Sequence, residues 1–135
     1  MKRKALSGLL VAFLLISGTF YVTTTHHQMN VQNVKKTLTE MEKKRENRQI
    51  AKTFASVGFD WRGKEWKCLE SLWTRESRFD SEARNPKSSA RGIGQLLGEK
   101  SGDARIQVLR ADKYILKRYG NPCKALAFHD RRGWY

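Results

Sequence analysis

One glutamate, Glu76, stands where a carboxyl would be chemically unusual. Trp66, Leu69, Leu72 and Trp73 recur at helical spacing and Phe79 extends the stripe, with Glu76 about one turn from Leu72, Trp73 and Phe79. A carboxyl set against apolar surface is penalised for ionising, so its pKa rises towards the range in which it donates a proton near neutral pH. The pattern alone equally allows a boundary residue paired with Arg75 or Arg78. The other acids nearby, Glu65, Glu70 and Asp80, fall off the stripe or at its edge. Downstream, Gly92 and Gly94 let a backbone approach a substrate closely, and Gln95 offers an amide that both donates and accepts, although it also reads as an ordinary surface amide. His129 next to Asp130 invites a dyad, but adjacent helical residues point about 100° apart and do not face each other. His26-His27 has no companion ligands at metal-site spacing, and no metal or other cofactor is expected.

These residues need helices to position them. Asp60 or Gly63 is suited to cap a helix over Lys64–Phe79, and Ser101 or Asp103 one over Ala104–Tyr119. Gly120 ends the latter, and Pro122 suits the first turn of a further helix. A short helical turn is predicted at Ile93–Leu97, between loops at Ser81–Arg91 and Gly98–Gly102. Val, Ile and Thr never alternate over a strand length here, so the fold class is mainly α. Apolar density is high from Phe54 to Tyr135, a domain of roughly 80 residues whose core alone leaves little stability margin. Cys68 and Cys123 either pair or remain two buried thiols. Paired, they close a loop of about 55 residues, for which chain entropy gives roughly 4 kcal/mol.

The N-terminus indicates the compartment. Lys2, Arg3 and Lys4 precede an uncharged, mostly apolar run from Ala5 to Val22, long enough to span a bilayer and oriented to translocate the rest of the chain. Residues 1–25 thus read as a signal anchor or signal peptide. Residues 26–53 read as a basic helical linker with a thin stripe at Val31, Val34, Leu38 and Met41, continued by Arg45 and Arg48, and 54–135 as the functional domain. The chain carries 27 Lys and Arg against 13 Asp and Glu, a formal charge of +14, which draws it to polyanions without choosing among them. Dispersed basic residues without a binding motif, on a translocated domain, argue against nucleic acid as the partner.

Three segments in order carry a resemblance. Trp73-Thr74-Arg75-Glu76-Ser77-Arg78-Phe79, then Ala83-Arg84-Asn85-Pro86, then Ser88-Ser89-Ala90-Arg91-Gly92-Ile93-Gly94-Gln95 resemble the lytic transglycosylases with a goose-type-lysozyme-like domain. The stretch from Tyr114-Ile115 through Gly120-Asn121-Pro122-Cys123 to Gly133-Trp134-Tyr135 looks like the small secreted transglycosylase-like domains of actinobacteria and their phages, a subgroup that also carries paired cysteines. The resemblance covers about Trp66 to Tyr135, and the ordered combination is far more specific than any single motif.

It implies a small lysozyme-like domain in which Glu76 is the catalytic acid–base and Gln95 lines a sugar groove. Ser77 orients Glu76 or contacts a peptide stem, and Gly92, Ile93 and Tyr114 contribute to substrate binding. The implied reaction is cleavage of the N-acetylmuramic acid to N-acetylglucosamine bond in peptidoglycan with a 1,6-anhydro product, by a monomer in the cell envelope, membrane-anchored or secreted. A muramidase would need a second carboxylate, for which Glu82, Asp103 and Asp130 are the candidates. A non-catalytic wall-binding module is a further alternative. Trp61, Trp134 and Tyr135 read as sugar-stacking or as core residues. The sequence departs from the family in a shorter Leu96–Asp103 loop and in Ala125-Leu126-Ala127-Phe128-His129, where larger members have Ala-Tyr-Asn-Ala-Gly; the far wall of the groove is not inherited.

Overall fold

The computed structural model describes the chain from Gly18 onward, with side-chain surroundings from residue 28. It is mainly helical: α1 (Gly18–Gly58), α2 (Gly63–Glu76), α3 (Ala104–Tyr119) and α4 (Pro122–Arg132), with a two-stranded antiparallel hairpin of β1 (Ala90–Arg91) and β2 (Leu96–Leu97). Most of the expected anchor lies outside the described residues; among those described, no helix is long and apolar enough to cross a membrane.

Glu40–Tyr135 forms one compact unit, and the described residues up to Thr39 belong to a separate one. The compact unit therefore begins before the expected Phe54. Its reason is the last part of α1, where Asn47, Ala51 and Ala55 are buried at one-turn spacing. The small alanines let this face pack closely, whereas the expected stripe of Val31, Val34, Leu38 and Met41 is exposed, as are Arg45 and Arg48. Asn47 Nδ2 donates to the Phe79 carbonyl (2.9 Å), and Lys44 pairs with Asp80 (3.3 Å).

α2 buries Trp66, Leu69, Leu72 and Trp73, the predicted stripe. Its cap is Arg62 rather than Asp60 or Gly63, because Asp60 takes a left-handed φ of 56° and its carboxylate accepts from Arg62 Nε (2.8 Å). The helix stops at Glu76 rather than running to Phe79: Arg78 and Phe79 both adopt left-handed backbone (φ 55° and 61°). Phe79 still reaches the core, turned in by this bend rather than by helical periodicity.

α3 begins and ends where its sequence indicates. Asp103 Oδ1 accepts from Arg105 N (2.8 Å), and Gly120 at φ 81° donates back to Ile115 and Leu116. α4 opens on Pro122 with Asn121 as cap. The expected helical turn at Ile93–Leu97 is absent; Gly92 and Gln95, with φ of 73° and 47°, instead close the β1–β2 hairpin. The hairpin needs no alternating strand, since only Ala90–Leu97 and Arg91–Leu96 pair.

α2 and α4 pack against one another and run parallel. Cys68 is disulfide-bonded to Cys123, and seven residues later on each helix Arg75 pairs with Asp130. The two cross-links lie about two turns apart on the same seam.

Candidate active site

Glu76 is the last residue of α2, and its Oε1 lies 3.1 Å from Nε2 of His129 on α4. Both side chains are largely enclosed, 17% and 15% exposed. Burial pushes the Glu76 carboxyl above its ordinary value. Burial and then the Arg75 guanidinium push His129 down, against a smaller opposing pull from Asp130, so the imidazole is neutral at pH 7. The Arg75–Asp130 ion pair stands beside this contact and fixes the level at which the two helices meet.

His129 Nδ1 is buried with no hydrogen-bond partner among the described residues. A buried bare lone pair is tolerated better than a buried orphan N–H, which assigns the imidazole proton to Nε2. The Nε2–H then faces Glu76 Oε1 at 3.1 Å, a close polar contact rather than an aligned hydrogen bond. Sequence spacing correctly separates His129 from Asp130, but it gives no sign that α4 would bring His129 onto Glu76 across the helix interface.

The segment after Glu76 is strained. Arg78, Phe79 and, across the loop, Gln95 are non-glycine residues at positive φ. Such residues persist only where their surroundings over-determine them, and they concentrate at functional sites. Ser77 supplies one tether: its hydroxyl donates to the Ile93 carbonyl (2.7 Å), joining the end of α2 to the hairpin loop.

Gln95 is half-buried and its Nε2 donates to the Gly92 carbonyl (2.9 Å) and the Ala83 carbonyl (3.3 Å), so its donors hold the loop in shape. Ile93 departs from its expected binding role. Its side chain is fully buried, its N–H donates to Gln107 Oε1 (3.0 Å) and its carbonyl accepts from Ser77, which leaves it a scaffold residue. Gly92 has a similar correction: a Cβ there would run into the Gln107 amide, so the glycine makes room for a buried side chain. Gly94 is hemmed in by Ala111, to which a Cβ would come within 2.5 Å.

Gln107 was invisible as a site-builder. It is buried, and its Nε2 donates to the carbonyls of Ser81 (2.9 Å) and Ser101 (2.7 Å) while Oε1 serves Ile93, so one amide gathers three loops. Its only sequence signal is a position one turn before Ala111 on the buried face of α3.

Aromatic residues form the neighbouring surface. Tyr135 OH donates to the Gly94 carbonyl (2.6 Å) and accepts from Trp73 Nε1 (3.0 Å). Burial, and then the nearby Glu76, hold its phenol well above the ordinary value, so it remains a donor. Tyr114 is half-buried, its ring 5.9 Å from that of Tyr135 and its hydroxyl accepting from Arg118. The Arg118 guanidinium lies over the rings of Trp134 (4.9 Å), Tyr119 (5.4 Å), Tyr114 and Phe128 (both 5.7 Å). Trp134 is 49% exposed, whereas Trp61 is a core residue.

The carboxylates considered as partners for Glu76 are each engaged. Glu82 pairs with Lys43, Asp103 caps α3 and Asp130 pairs with Arg75. A further carboxyl, Asp112, is fully buried with neither oxygen hydrogen-bonded among the described residues, and burial raises it to about 8. At neutral pH it is mostly protonated and enclosed, which does not suit it to hold a water for attack. No family model, no curated protein and no solved structure matches this chain.

Proposed function

We propose that this chain is a peptidoglycan lytic transglycosylase of lysozyme-like fold, with Glu76 as its acid–base catalyst. The observation that carries the reading is the enclosed Glu76 carboxyl, raised by burial, with His129 Nε2 3.1 Å from one of its oxygens. The motif order Glu76-Ser77, Gly92-Ile93-Gly94-Gln95 and Tyr114 supports the substrate class, and the formal charge of +14 suits an anionic wall. The apolar run at Ala5–Val22 supports an extracytoplasmic domain held at the membrane or secreted, acting as a monomer.

In this reaction Glu76 Oε2–H gives its proton to the glycosidic oxygen as the bond to the muramyl anomeric carbon breaks through an oxocarbenium-like state. The 6-hydroxyl oxygen of the same sugar then bonds that carbon, and the ionised Glu76 takes the hydroxyl proton back. No water is consumed and the carboxyl ends as it began. His129 is a positioning residue: with Nε2 3.1 Å from Oε1, a small turn of its ring lets it donate there and leaves Oε2 to carry the proton towards the substrate. A hydrolytic outcome would need a second free carboxylate, and the engagement of Glu82, Asp103 and Asp130 favours the intramolecular route.

The test is mass spectrometry of purified murein incubated with the whole chain and with Glu76→Gln. Anhydro-muropeptides from the wild type, reduced by about 10²-fold or more in Glu76→Gln, are expected. Reducing muropeptide ends would replace the transglycosylase with a muramidase, and intact murein would remove the enzymatic reading.

A further inference from the structure

A second group of side chains lines a concavity formed by the hairpin and the loops on either side of it. Arg84 and Arg91 are direct partners in an antiparallel bridge. Such partners project from the same face with Cβ atoms about 5 Å apart, and like charges in that arrangement are destabilising. Nothing nearby offsets them: among the described residues neither arginine makes a salt bridge or a side-chain hydrogen bond, although Lys43, Arg48, Arg75 and Arg110 are all paired with acids.

Both arginines line one concavity of about 370 Å³, and Lys100 lines it too, likewise without an acidic partner. The one acid in the lining, Glu99, does not neutralise the three. Its side chain is 2% exposed, with Oε1 taken by Arg110 Nη1 (2.6 Å) and Ser101 N (2.7 Å). Ser88 Oγ accepts from Ala90 N (3.2 Å), which leaves its hydroxyl proton to donate outward. Asn85 Oδ1 is likewise taken by Lys87 N (2.9 Å), which leaves its amide N–H groups as donors. The concavity thus presents two guanidinium groups, one ammonium and neutral donors, and the charge of its one acid, Glu99, is already shared with Arg110.

We infer that this concavity is a binding site for a phosphate group, held between Arg84 and Arg91 with Lys100 as the third cation. The opposed arginines are a repulsion built into the free protein that a shared oxyanion removes, since each guanidinium can present parallel N–H donors to its oxygens. Three cations lining one concavity match a dianionic tetrahedral group better than a single carboxylate. The inference is independent of the reaction assigned to Glu76, because none of its residues touches that carboxyl. The phosphate can be free or part of a phosphate-bearing polymer, and the test separates the two.

The experiment tracks the amide and Arg Nε resonances of the whole chain, with its melting temperature, during titration with inorganic phosphate. Acetate and chloride at matched ionic strength are the controls, and poly(glycerol phosphate) is titrated in parallel. Phosphate is expected to shift Arg84 and Arg91 saturably and raise the melting temperature. Arg84→Gln and Arg91→Gln should each weaken that binding roughly tenfold or more and should melt higher than wild type without phosphate, their mutual repulsion being relieved. Response to inorganic phosphate alone identifies a free-phosphate site; tighter binding of the polymer identifies a chain-bound one. Equal responses to acetate, or shifts that persist unchanged in both variants, would overturn the assignment.

Discussion

Cys68 is bonded to Cys123 two helical turns before Glu76 meets His129 on the same pair of parallel helices. The disulfide therefore sets the register in which the proposed catalyst finds its partner, as well as closing a long loop. Cys68→Ser with Cys123→Ser is expected to lower unfolding stability by about 2–4 kcal/mol, measured by urea denaturation. Reductant should lower the wild type to the same level and leave the double variant unmoved. An unchanged denaturation midpoint would mean that core packing alone sets the register.

His129 gives a prediction that separates positioning from packing. His129→Gln keeps an N–H donor near Oε1, whereas His129→Phe fills the space without one. His129→Phe is expected to lower kcat by about 10–10²-fold with little change in KM, and His129→Gln to restore most of it. The pH profile supplies the sign. Activity needs protonated Glu76 and falls as pH rises through its raised pKa. Removing the imidazole N–H beside the carboxylate disfavours the ionised form further, so the alkaline limb of His129→Phe moves to higher pH and that of His129→Gln stays in place. The groups facing the pair are Arg75, Asp130 and Tyr135. A 15N spectrum showing the wild-type imidazole proton on Nδ1 would refute the positioning role whether or not the chain cleaves glycan.

Much of this arrangement is legible in the residues. The stripe of α2, the Asp103 cap and the Gly120 stop of α3 and the Pro122 start of α4 are local signals, and local chemistry decides them. The features that escape are those that distant segments decide together. Phe79 continues a helical period on paper, yet the left-handed turn at Arg78 and Phe79 ends the helix, with Asn47 of α1 holding the Phe79 carbonyl. Gly92 reads as room for a ligand until Gln107, on another helix, fills it. His129 and Glu76 are 53 residues apart, and no spacing rule joins them.

Asp112 makes stability depend on pH in a defined direction. Its folded-state pKa of about 8 lies above the ordinary 3.8. Between these values the folded chain keeps a proton that the unfolded chain has released, so stability falls as pH rises through this window and levels off above it. The slope from this group approaches about 1.4 kcal/mol per pH unit in mid-window. Asp112→Asn cannot ionise and should flatten the dependence between pH 5 and 8, as read by denaturant midpoints. A variant that retained the wild-type slope would place the responsible titration elsewhere.

Gly92 and Gln107 should prove energetically coupled. Gly92→Ala places a Cβ in space occupied by the Gln107 amide and imposes a side chain on a φ of 73°, and both effects destabilise. Gln107→Ala clears the space but strands the Ile93 N–H and the Ser81 and Ser101 carbonyls, at about 1–3 kcal/mol for each group left buried and unpaired. In the double variant the steric part of the Gly92→Ala effect disappears while the backbone part, about 1 kcal/mol, remains. The two losses should therefore sum to more than the double variant loses, by about 1 kcal/mol or more in a double-mutant cycle. Additive losses would mean that the loop relaxes around the new methyl group, and Gly92 would then be required for its backbone conformation alone.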